Sequence, residues 1–277
     1  MPELPELEIV REVLERRLAG HTIERVTIDP KGGPLVVRDL TGRGLAAGLV
    51  GEHIQTFERR GKYLLFHLAP SDLWLVANPK LTGRFQLCAP GEKKAGPVHV
   101  TLFFENPAEE LRYVDQKKMG QLYLTPDLER VPLFAEMGPE ALAVTHEEFA
   151  SRLKAFRGEV KSILVRAGFL AGIGNAYADE ILWAARLHPY RKRTSLTPDE
   201  VRALHDAMGD VLRTSIDKVR HAMGEAVHLK PRDFFAVHMR GGQACPRCGE
   251  TISAVTANQR ITNFCRTCQP GGLTRGM

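Results

Sequence analysis

The chain has 277 residues and 43% hydrophobic content, enough for two domains with cores of their own. Its formal net charge of +5 favours an anionic partner without identifying that partner as nucleic acid. No apolar run is long enough to predict a membrane span, and the acidic N-terminus lacks the apolar core of a secretory signal, so both classes are excluded.

The first six residues are Met-Pro-Glu-Leu-Pro-Glu. Initiator methionine is normally removed before a residue as small as proline, which would leave Pro2 with a free secondary amine. An α-amino group titrates near about 7.7–8.0, so this amine could act as a nucleophile at neutral pH, with Glu3 moving protons beside it. The same stretch also fits a helix entrance, in which Pro5 suits the first turn and Glu6 suits the positive end of the dipole. The two interpretations use different residues and can hold together.

Residues 5–18 place apolar side chains at three- and four-residue steps and are followed by Gly20, which predicts an amphipathic helix. Short segments rich in β-branched and aromatic residues then alternate with turn formers, which predicts an all-β sandwich or barrel. The predicted strands are 22–28, 54–57, 63–68, 73–76, 85–88, 98–104, 111–114 and 121–124. Cys88 falls in one of these apolar strands and is expected to be a plain buried thiol.

Residues 126–138 contain Pro126, Pro132 and Gly138 and are predicted to be a linker. The pattern beyond them is helical, with Thr197 as an expected N-cap; the predicted helices are 145–156, 162–167, 176–185 and 198–219. Between two of these helices, Gly-Ile-Gly-Asn over 172–175 forms either a backbone-exposed turn that offers amide hydrogens to a phosphate or an ordinary interhelical turn.

The C-terminal region carries two Cys-x-x-Cys pairs, and their spacing is typical of a structural zinc ribbon in which four thiolates leave no position open for chemistry. The predicted ligands of one Zn²⁺ are Cys245, Cys248, Cys265 and Cys268. Clustered cysteines of this kind indicate a reducing compartment rather than a disulfide framework. Arg260, between the two pairs, is expected to contact a partner rather than to serve only as solubilising surface.

Three separated motifs together resemble the formamidopyrimidine-DNA glycosylase/endonuclease VIII family of base excision repair: the Pro-Glu-Leu-Pro-Glu start, the Gly-Ile-Gly-Asn-Ala-Tyr-Ala-Asp-Glu turn over 172–180, and the four-cysteine ribbon. The resemblance implies an α+β multidomain protein: a β-sandwich with an N-terminal helix at 1–130, a helical domain with a helix–two-turn–helix motif at 131–232, and a zinc ribbon at 233–277. It also implies a monomer that binds damaged double-stranded DNA in the bacterial cytoplasm, at the nucleoid.

The resemblance implies roles for individual residues. Pro2 matches the nucleophile that attacks C1′ of the damaged nucleotide, Glu3 the proton-transfer carboxylate, and Glu6 a further acidic residue of the site. Lys62 matches the β-domain lysine that contacts phosphates flanking the lesion and assists catalysis. The implied reaction removes the base through a proline iminium and cuts the strand on both sides by β,δ-elimination. Contacts to the DNA backbone are implied for Lys161, Asn175 and Arg260.

The chain departs from the oxidised-purine enzymes where side chains fill the void left by the flipped base. The family's His-x-x-Met-x-Gly reads Asn-Pro-Lys-Leu-Thr-Gly over 78–83, and its Asp-Pro-Arg-Arg-Phe-Gly reads Asp-Gln-Lys-Lys-Met-Gly over 115–120. The implied void-filling residues are therefore Leu81, Lys117 and Met119. Leucine and methionine remain apolar wedges. A lysine cannot reproduce the rigid fork of arginine, so weaker discrimination of the base opposite the lesion is expected.

Residues 219–235 look shorter than the lesion-capping loop of oxidised-guanine enzymes, and the usual Val-Tyr-Gly-Arg entry to the ribbon reads Val-His-Met-Arg over 237–240. Two alternatives to an oxidised-purine enzyme stay open. One is the same chemistry on oxidised pyrimidines or bulky adducts. The other is a catalytically idle protein that recognises damaged DNA, which the presence of Pro2, Glu3 and Lys62 argues against.

Overall fold

The computed structural model describes residues 1–105, 108–257 and 260–271. Contacts between residues divide the chain into two units: unit 1 is Met1–Glu136 with Val219–Pro231, and unit 2 is Met137–Lys218 with Arg232–Met277. The three-part division expected from the sequence stays a prediction. Among the described helices, none combines the length and apolar character needed to cross a membrane.

Unit 1 is a helix on a two-sheet β structure. Its elements are α1 (Leu4–Leu18), β1 (Arg25–Ile28), α2 (Gly33–Val36), β2 (Val37–Asp39), α3 (Leu45–Leu49), β3 (His53–Arg60), β4 (Tyr63–Ala69), β5 (Trp74–Asn78), β6 (Gly83–Cys88), β7 (Val98–Phe104), β8 (Glu109–Asp115) and β9 (Gln121–Thr125). One sheet has the strand order β1-β7-β8-β6 and the other has the order β2-β9-β5-β4-β3, in which β2 and β9 pair in parallel.

The core of unit 1 lies between the two sheets. Phe66 of one sheet contacts Phe85 of the other, with ring centroids 5.5 Å apart, and Phe85 in turn contacts Tyr113. The apolar face predicted for the first helix is buried, with Leu14 and Leu18 fully shielded from solvent. All eight predicted strands are present, and Cys88 is the buried thiol expected, with burial raising its pKa. The short elements α2, β2 and α3 were not predicted.

Unit 2 is helical and ends in a β-hairpin. Its elements are α4 (His146–Ala155), α5 (Val160–Leu164), α6 (Asn175–Ala184), α7 (Pro198–Met223), β10 (Ser253–Ala257) and β11 (Arg260–Phe264), of which α7 continues into the segment that groups with unit 1. Thr197 caps α7 as predicted, because its hydroxyl accepts from the Glu200 amide at 3.2 Å. The hairpin pairs β10 and β11 in antiparallel register from Ser253↔Phe264 to Ala257↔Arg260.

Candidate functional site

The N-terminus is fixed by a capping box at the start of α1. Glu3 is the N-cap, its carboxylate accepts from the Glu6 amide, and the Glu6 carboxylate accepts from the Glu3 amide at 2.9 Å. Both glutamates are only 2% exposed, and Pro2 is buried directly before them. The structure therefore brings the three predicted catalytic residues of the N-terminus together, and Pro5 lies in the first helical turn as the alternative interpretation expected.

A small apolar pocket of about 10 Å³, roughly the space of one water molecule, lies beside Pro2 within unit 1. One wall comes from α1 and the β5–β6 turn, and the other comes from residues 219–231. Arg84 anchors that second wall by donating to the His228 carbonyl at 3.1 Å. Burial, aided by the Arg84 charge, lowers the pKa of His228, so this imidazole is neutral at pH 7. The side chains of the second wall are Met223, Val227, Leu229 and Lys230.

Lys62 lies in the tight turn between β3 and β4, where Gly61 has a φ of +56°. Arg59 organises the turn because its Nη1 donates to the Gly61 carbonyl at 3.1 Å while its Nε donates to the Glu8 carboxylate at 2.6 Å. Burial alone would raise the pKa of Glu8, but the hydrogen bonds and charges of Arg59 and Arg11 outweigh it and lower that pKa. The turn carrying Lys62 is thus attached to α1, the helix that begins two residues after the predicted nucleophile Pro2.

Glu8→Gln is expected to lower the free energy of unfolding of the protein by about 1–2 kcal/mol at pH 7. The folded pKa of Glu8 lies below its unfolded value, so its stabilising contribution is complete above the unfolded pKa of about 4.5 and is lost as pH falls through the folded value. Urea unfolding between pH 7 and pH 3 should therefore show a shallower acid dependence for Glu8→Gln than for the wild type.

Glu12→Gln is the matched control, because Glu12 lies on the same helix as Glu8 and forms a more exposed ion pair, with Arg220 of α7. Exposed pairs of this kind contribute at most about 0.5–1 kcal/mol, so the control should change unfolding little. Equal losses for the two variants would contradict the assignment of Glu8 as the anchor of the Lys62 turn.

The three predicted void-filling residues lie on two neighbouring loops. Leu81 is 43% exposed and Met119 is 48% exposed, and Lys117 is exposed as well. Exposed apolar side chains on loop tips have the character expected of wedges that enter a DNA stack. The structure thus places all three at the surface of unit 1.

Asp115 and Thr82 join these two loops. Asp115 is fully buried, accepts from the Gly120 amide at 2.7 Å and from the Lys117 amide at 3.1 Å, and also accepts from the Thr82 hydroxyl. The Thr82 hydroxyl in turn accepts from the Lys117 amide at 3.0 Å. Residue 120 must be glycine, because a Cβ there would lie 1.7 Å from the Tyr113 hydroxyl oxygen. The loop that carries Leu81 and the loop that carries Lys117 and Met119 are therefore held together by Asp115 and Thr82. The sequence analysis did not identify this connection.

In unit 2, Asn175 and Lys161 both contact the backbone of β11. Asn175 Nδ2 donates to the Ile261 carbonyl at 2.8 Å, and Lys161 Nζ donates to the same carbonyl at 3.2 Å and to the Thr262 hydroxyl at 2.8 Å. Arg260 is exposed at the first position of that strand. The three predicted backbone-contacting residues are thus neighbours, although Lys161 is only 7% exposed and supports β11 rather than projecting into solvent.

Asp179 is the centre of a buried charge network on α6. Its side chain is 0% exposed and lies 2.6 Å from Lys161 Nζ and 2.8 Å from His238 Nδ1, and it accepts from the Asn263 amide at 3.1 Å. The adjacent Glu180 accepts from three consecutive amides at 2.8–2.9 Å. These amides belong to residues 236–238, the entry to the ribbon. Two neighbouring carboxylates of one helix therefore hold both β11 and the ribbon entry.

The four ribbon cysteines converge on one point, where they could hold a metal ion. Their sulfur atoms all lie within 4.8 Å of one another, with Cys245–Cys268 at 3.8 Å and Cys248–Cys265 at 3.5 Å. A tetrahedral Zn²⁺ with Zn–S bonds of about 2.3 Å requires sulfur–sulfur distances of roughly 3.8 Å, so the donor set fits zinc in both chemistry and spacing. Hydrogen bonds from the amides of Arg247 and Cys248 overcome the effect of burial and lower the pKa of Cys245. The expected structural zinc site is confirmed.

Comparison with known proteins agrees with this geometry along the whole chain. Residues 1–122 match the formamidopyrimidine-DNA glycosylase N-terminal domain, residues 137–225 match the H2TH domain of that glycosylase, and residues 242–271 match a zinc finger found in FPG and IleRS. The chain is 39% identical to the formamidopyrimidine-DNA glycosylase of Symbiobacterium thermophilum over 98% of this chain and 90% of the relative. It is 37% identical to that of Deinococcus radiodurans over 98% of each.

Solved structures of the Lactococcus lactis enzyme are similar as well. Its complex with Fapy-dG-containing DNA has a TM-score of 0.85 and 30% identity, and its complex with abasic-site DNA has a TM-score of 0.84 and 29% identity. In both comparisons 97% of this chain is matched to the whole of the other chain. The three domain matches and the near-full-length similarity to these relatives agree with one another. This chain therefore belongs to the formamidopyrimidine-DNA glycosylase family.

Proposed function

We propose that the protein is a bifunctional DNA glycosylase and abasic-site lyase of base excision repair, which excises oxidised or ring-opened bases from double-stranded DNA. The observation that carries the proposal is the buried Pro2 held at the head of α1 by the reciprocal Glu3–Glu6 cap. A protein that only bound DNA would not need a secondary amine fixed beside two carboxylates. A monomer in the bacterial cytoplasm, with access to the nucleoid, suits this role.

The reaction requires that Met1 be removed, because an amide nitrogen has no free lone pair for attack. The Pro2 amine then bonds to C1′, the bond from C1′ to the base breaks, and the base leaves with that electron pair and a proton relayed through Glu3. Opening of the sugar ring converts C1′ into an iminium carbon. Loss of a C2′ proton expels the 3′ phosphate, and loss of the C4′ proton expels the 5′ phosphate. Water then hydrolyses the iminium, which releases the sugar fragment, frees the Pro2 amine and leaves a one-nucleotide gap.

The DNA-facing roles follow from the chemistry of the remaining residues. Lys62, on its anchored turn, supplies a compact positive charge for phosphates beside the lesion. In unit 2, Asn175 and Arg260 lie together at β11, where an amide donor and a guanidinium suit phosphate oxygens. Lys161 contributes indirectly, because its buried ammonium group donates hydrogen bonds to β11 and holds that strand in position. Leu81 and Met119 supply the apolar wedges that occupy the space of the flipped nucleotide.

Weak discrimination of the base opposite the lesion is expected, because the third void-filling residue is Lys117. A lysine offers one flexible charge, whereas arginine offers a planar fork that reads base edges in fixed geometry. Excision rates with C, A, G or T opposite one lesion should differ by less than about tenfold in the wild type. Lys117→Arg should widen the spread, and Lys118→Arg in the same loop is the matched control. A steep preference for C in the wild type would contradict this expectation.

Borohydride trapping tests the proposed function directly. The purified protein is mixed with duplexes carrying an abasic site, 8-oxoguanine, formamidopyrimidine or thymine glycol, and borohydride is added to reduce any iminium to a stable adduct. Adducts with an abasic site and at least one base lesion support a bifunctional enzyme, and the pattern across duplexes reports the preferred lesion. Tight binding without any adduct, from protein whose mass shows that Met1 is absent, would favour an idle DNA-binding relative.

A further inference from the structure

We propose that Trp183 is a positioning residue for the metal site, with its indole N–H donating a hydrogen bond to the Cys245 thiolate. Trp183 lies in the last turn of α6, the helix whose first residue is Asn175. Its side chain packs against the buried ribbon cluster that contains Cys245 and Cys265. The proposal adds to the four cysteines a fifth residue, contributed by an element outside the ribbon.

The indole nitrogen is placed to need such an acceptor. Trp183 Nε1 is shielded from solvent, and no acceptor among the described residues meets it in standard hydrogen-bond geometry. The Trp183 side chain packs against the cluster that contains Cys245, and Trp183 is among the groups that lower the pKa of the Cys245 thiol. A buried indole N–H normally finds a partner, and a metal-bound thiolate is a strong acceptor because it keeps much of its negative charge. The sulfur therefore satisfies a donor that would otherwise be buried without a partner.

Arg247 fixes the plane of the Trp183 ring from the other side. Its guanidinium carbon lies 3.9 Å from the ring centroid, and its Nη1 donates to the Trp183 carbonyl at 2.9 Å. Arg247 lies between Cys245 and Cys248, in the Cys-x-x-Cys pair that we call the knuckle. The knuckle therefore holds the Trp183 ring by stacking of Arg247, and its Cys245 sulfur receives the indole N–H. The contact is thus a two-point attachment of the knuckle to the end of α6.

The physical consequence concerns charge as well as position. Zn²⁺ with four thiolates carries a net charge of −2, and hydrogen bonds to the sulfurs spread that charge and keep each ligand oriented. The amides of Arg247 and Cys248 provide such bonds from within the knuckle itself. Trp183 provides one from α6, which joins the metal site to the helix that also holds β11 through Asp179. Removing hydrogen-bond partners of this kind typically weakens metal affinity by about 10–100-fold.

Trp183→Phe tests the bond itself, because phenylalanine keeps an aromatic ring for packing and for Arg247 but has no N–H. Trp74→Phe is the matched control. Trp74 is the other tryptophan of the chain; it lies in β5 and stacks on His67 of β4, with ring centroids 4.3 Å apart. Two quantities are measured on metal-loaded protein: the rate at which a chromophoric chelator removes zinc, and the thiolate-to-metal charge-transfer band after cobalt substitution.

Trp183→Phe is expected to release zinc about 10–100-fold faster and to shift the cobalt charge-transfer band, with both unchanged in Trp74→Phe. Wild-type release and an unmoved band in Trp183→Phe would overturn the proposal. If Trp183→Phe does not fold, an NMR measurement on the wild type loaded with ¹¹³Cd tests the proposal instead. A scalar coupling between the metal and the Trp183 indole proton would support the hydrogen bond, and absence of that coupling would overturn it. None of these readouts depends on DNA repair activity.

Discussion

Pro2→Gly is expected to lower borohydride trapping and strand cleavage at an abasic site by at least about a thousandfold. Glycine still presents an amine, but it lacks the ring that makes the amine secondary and that restricts the orientation of its nitrogen. The amine would then have to find its position by diffusion of a flexible terminus, and misplacement by about 1 Å already costs about a hundredfold in rate. Single-turnover kinetics on an abasic duplex measure the loss.

The control for this experiment is Pro5→Ala, which changes the other proline of the terminus. Pro5 lies in the first turn of α1, where alanine is also compatible with the helix. Pro5→Ala should keep trapping within a few-fold of the wild type, and both variants should bind the abasic duplex with similar affinity. If Pro2→Gly trapped at the wild-type rate, the nucleophile would have to be another amine of the chain, and the proposed mechanism would be wrong.

Asp179→Ala is expected to destabilise unit 2 by about 3–5 kcal/mol. The Asp179 carboxylate is fully buried between Lys161 and His238, and removing it leaves the charge of Lys161, a 7% exposed residue, without its ion-pair partner. The backbone of β11 also loses the acceptor of the Asn263 amide. Urea unfolding monitored by circular dichroism should show a lower midpoint.

Binding provides a second readout for Asp179→Ala. Because Asn175 and Lys161 hold the strand that begins at Arg260, disorder in that strand should weaken binding to an abasic duplex by at least about tenfold. Asp210→Ala, at an exposed position of α7, is the matched control and should behave as the wild type. A change in unfolding free energy below about 1 kcal/mol for Asp179→Ala would show that the buried network is not the support inferred here.

The sequence allowed much of the fold to be predicted because its signals are local. Apolar periodicity located α1 and the four helices of the second half, and β-branched runs located eight strands. The strand β2 was missed because Val37–Asp39 is three residues long and pairs in parallel with β9, which lies far away in sequence. A short parallel edge strand leaves no alternating pattern and no adjacent turn to indicate it.

The residues that support the site were harder to predict than the residues that form it. Pro2 and the four cysteines stand in motifs with recognisable spacing, whereas Asp115, Asp179 and Trp183 act only through partners distant in sequence. A carboxylate on a helix is usually solvated, so nothing local indicated that Asp179 and its neighbour would be buried. Their position beside the Gly-Ile-Gly-Asn turn was the one available signal.

The reciprocal cap at Glu3 and Glu6 has a consequence for the energetics of catalysis. Each carboxylate fixes the other residue's backbone amide, so the chain immediately before the helix is already ordered when the protein folds. The conformational entropy of placing the amine is therefore lost during folding and not at each encounter with a lesion. Preorganisation of this kind lowers the activation barrier rather than tightening ground-state binding. Loosening the cap should accordingly slow single-turnover cleavage while the dissociation constant for DNA stays the same.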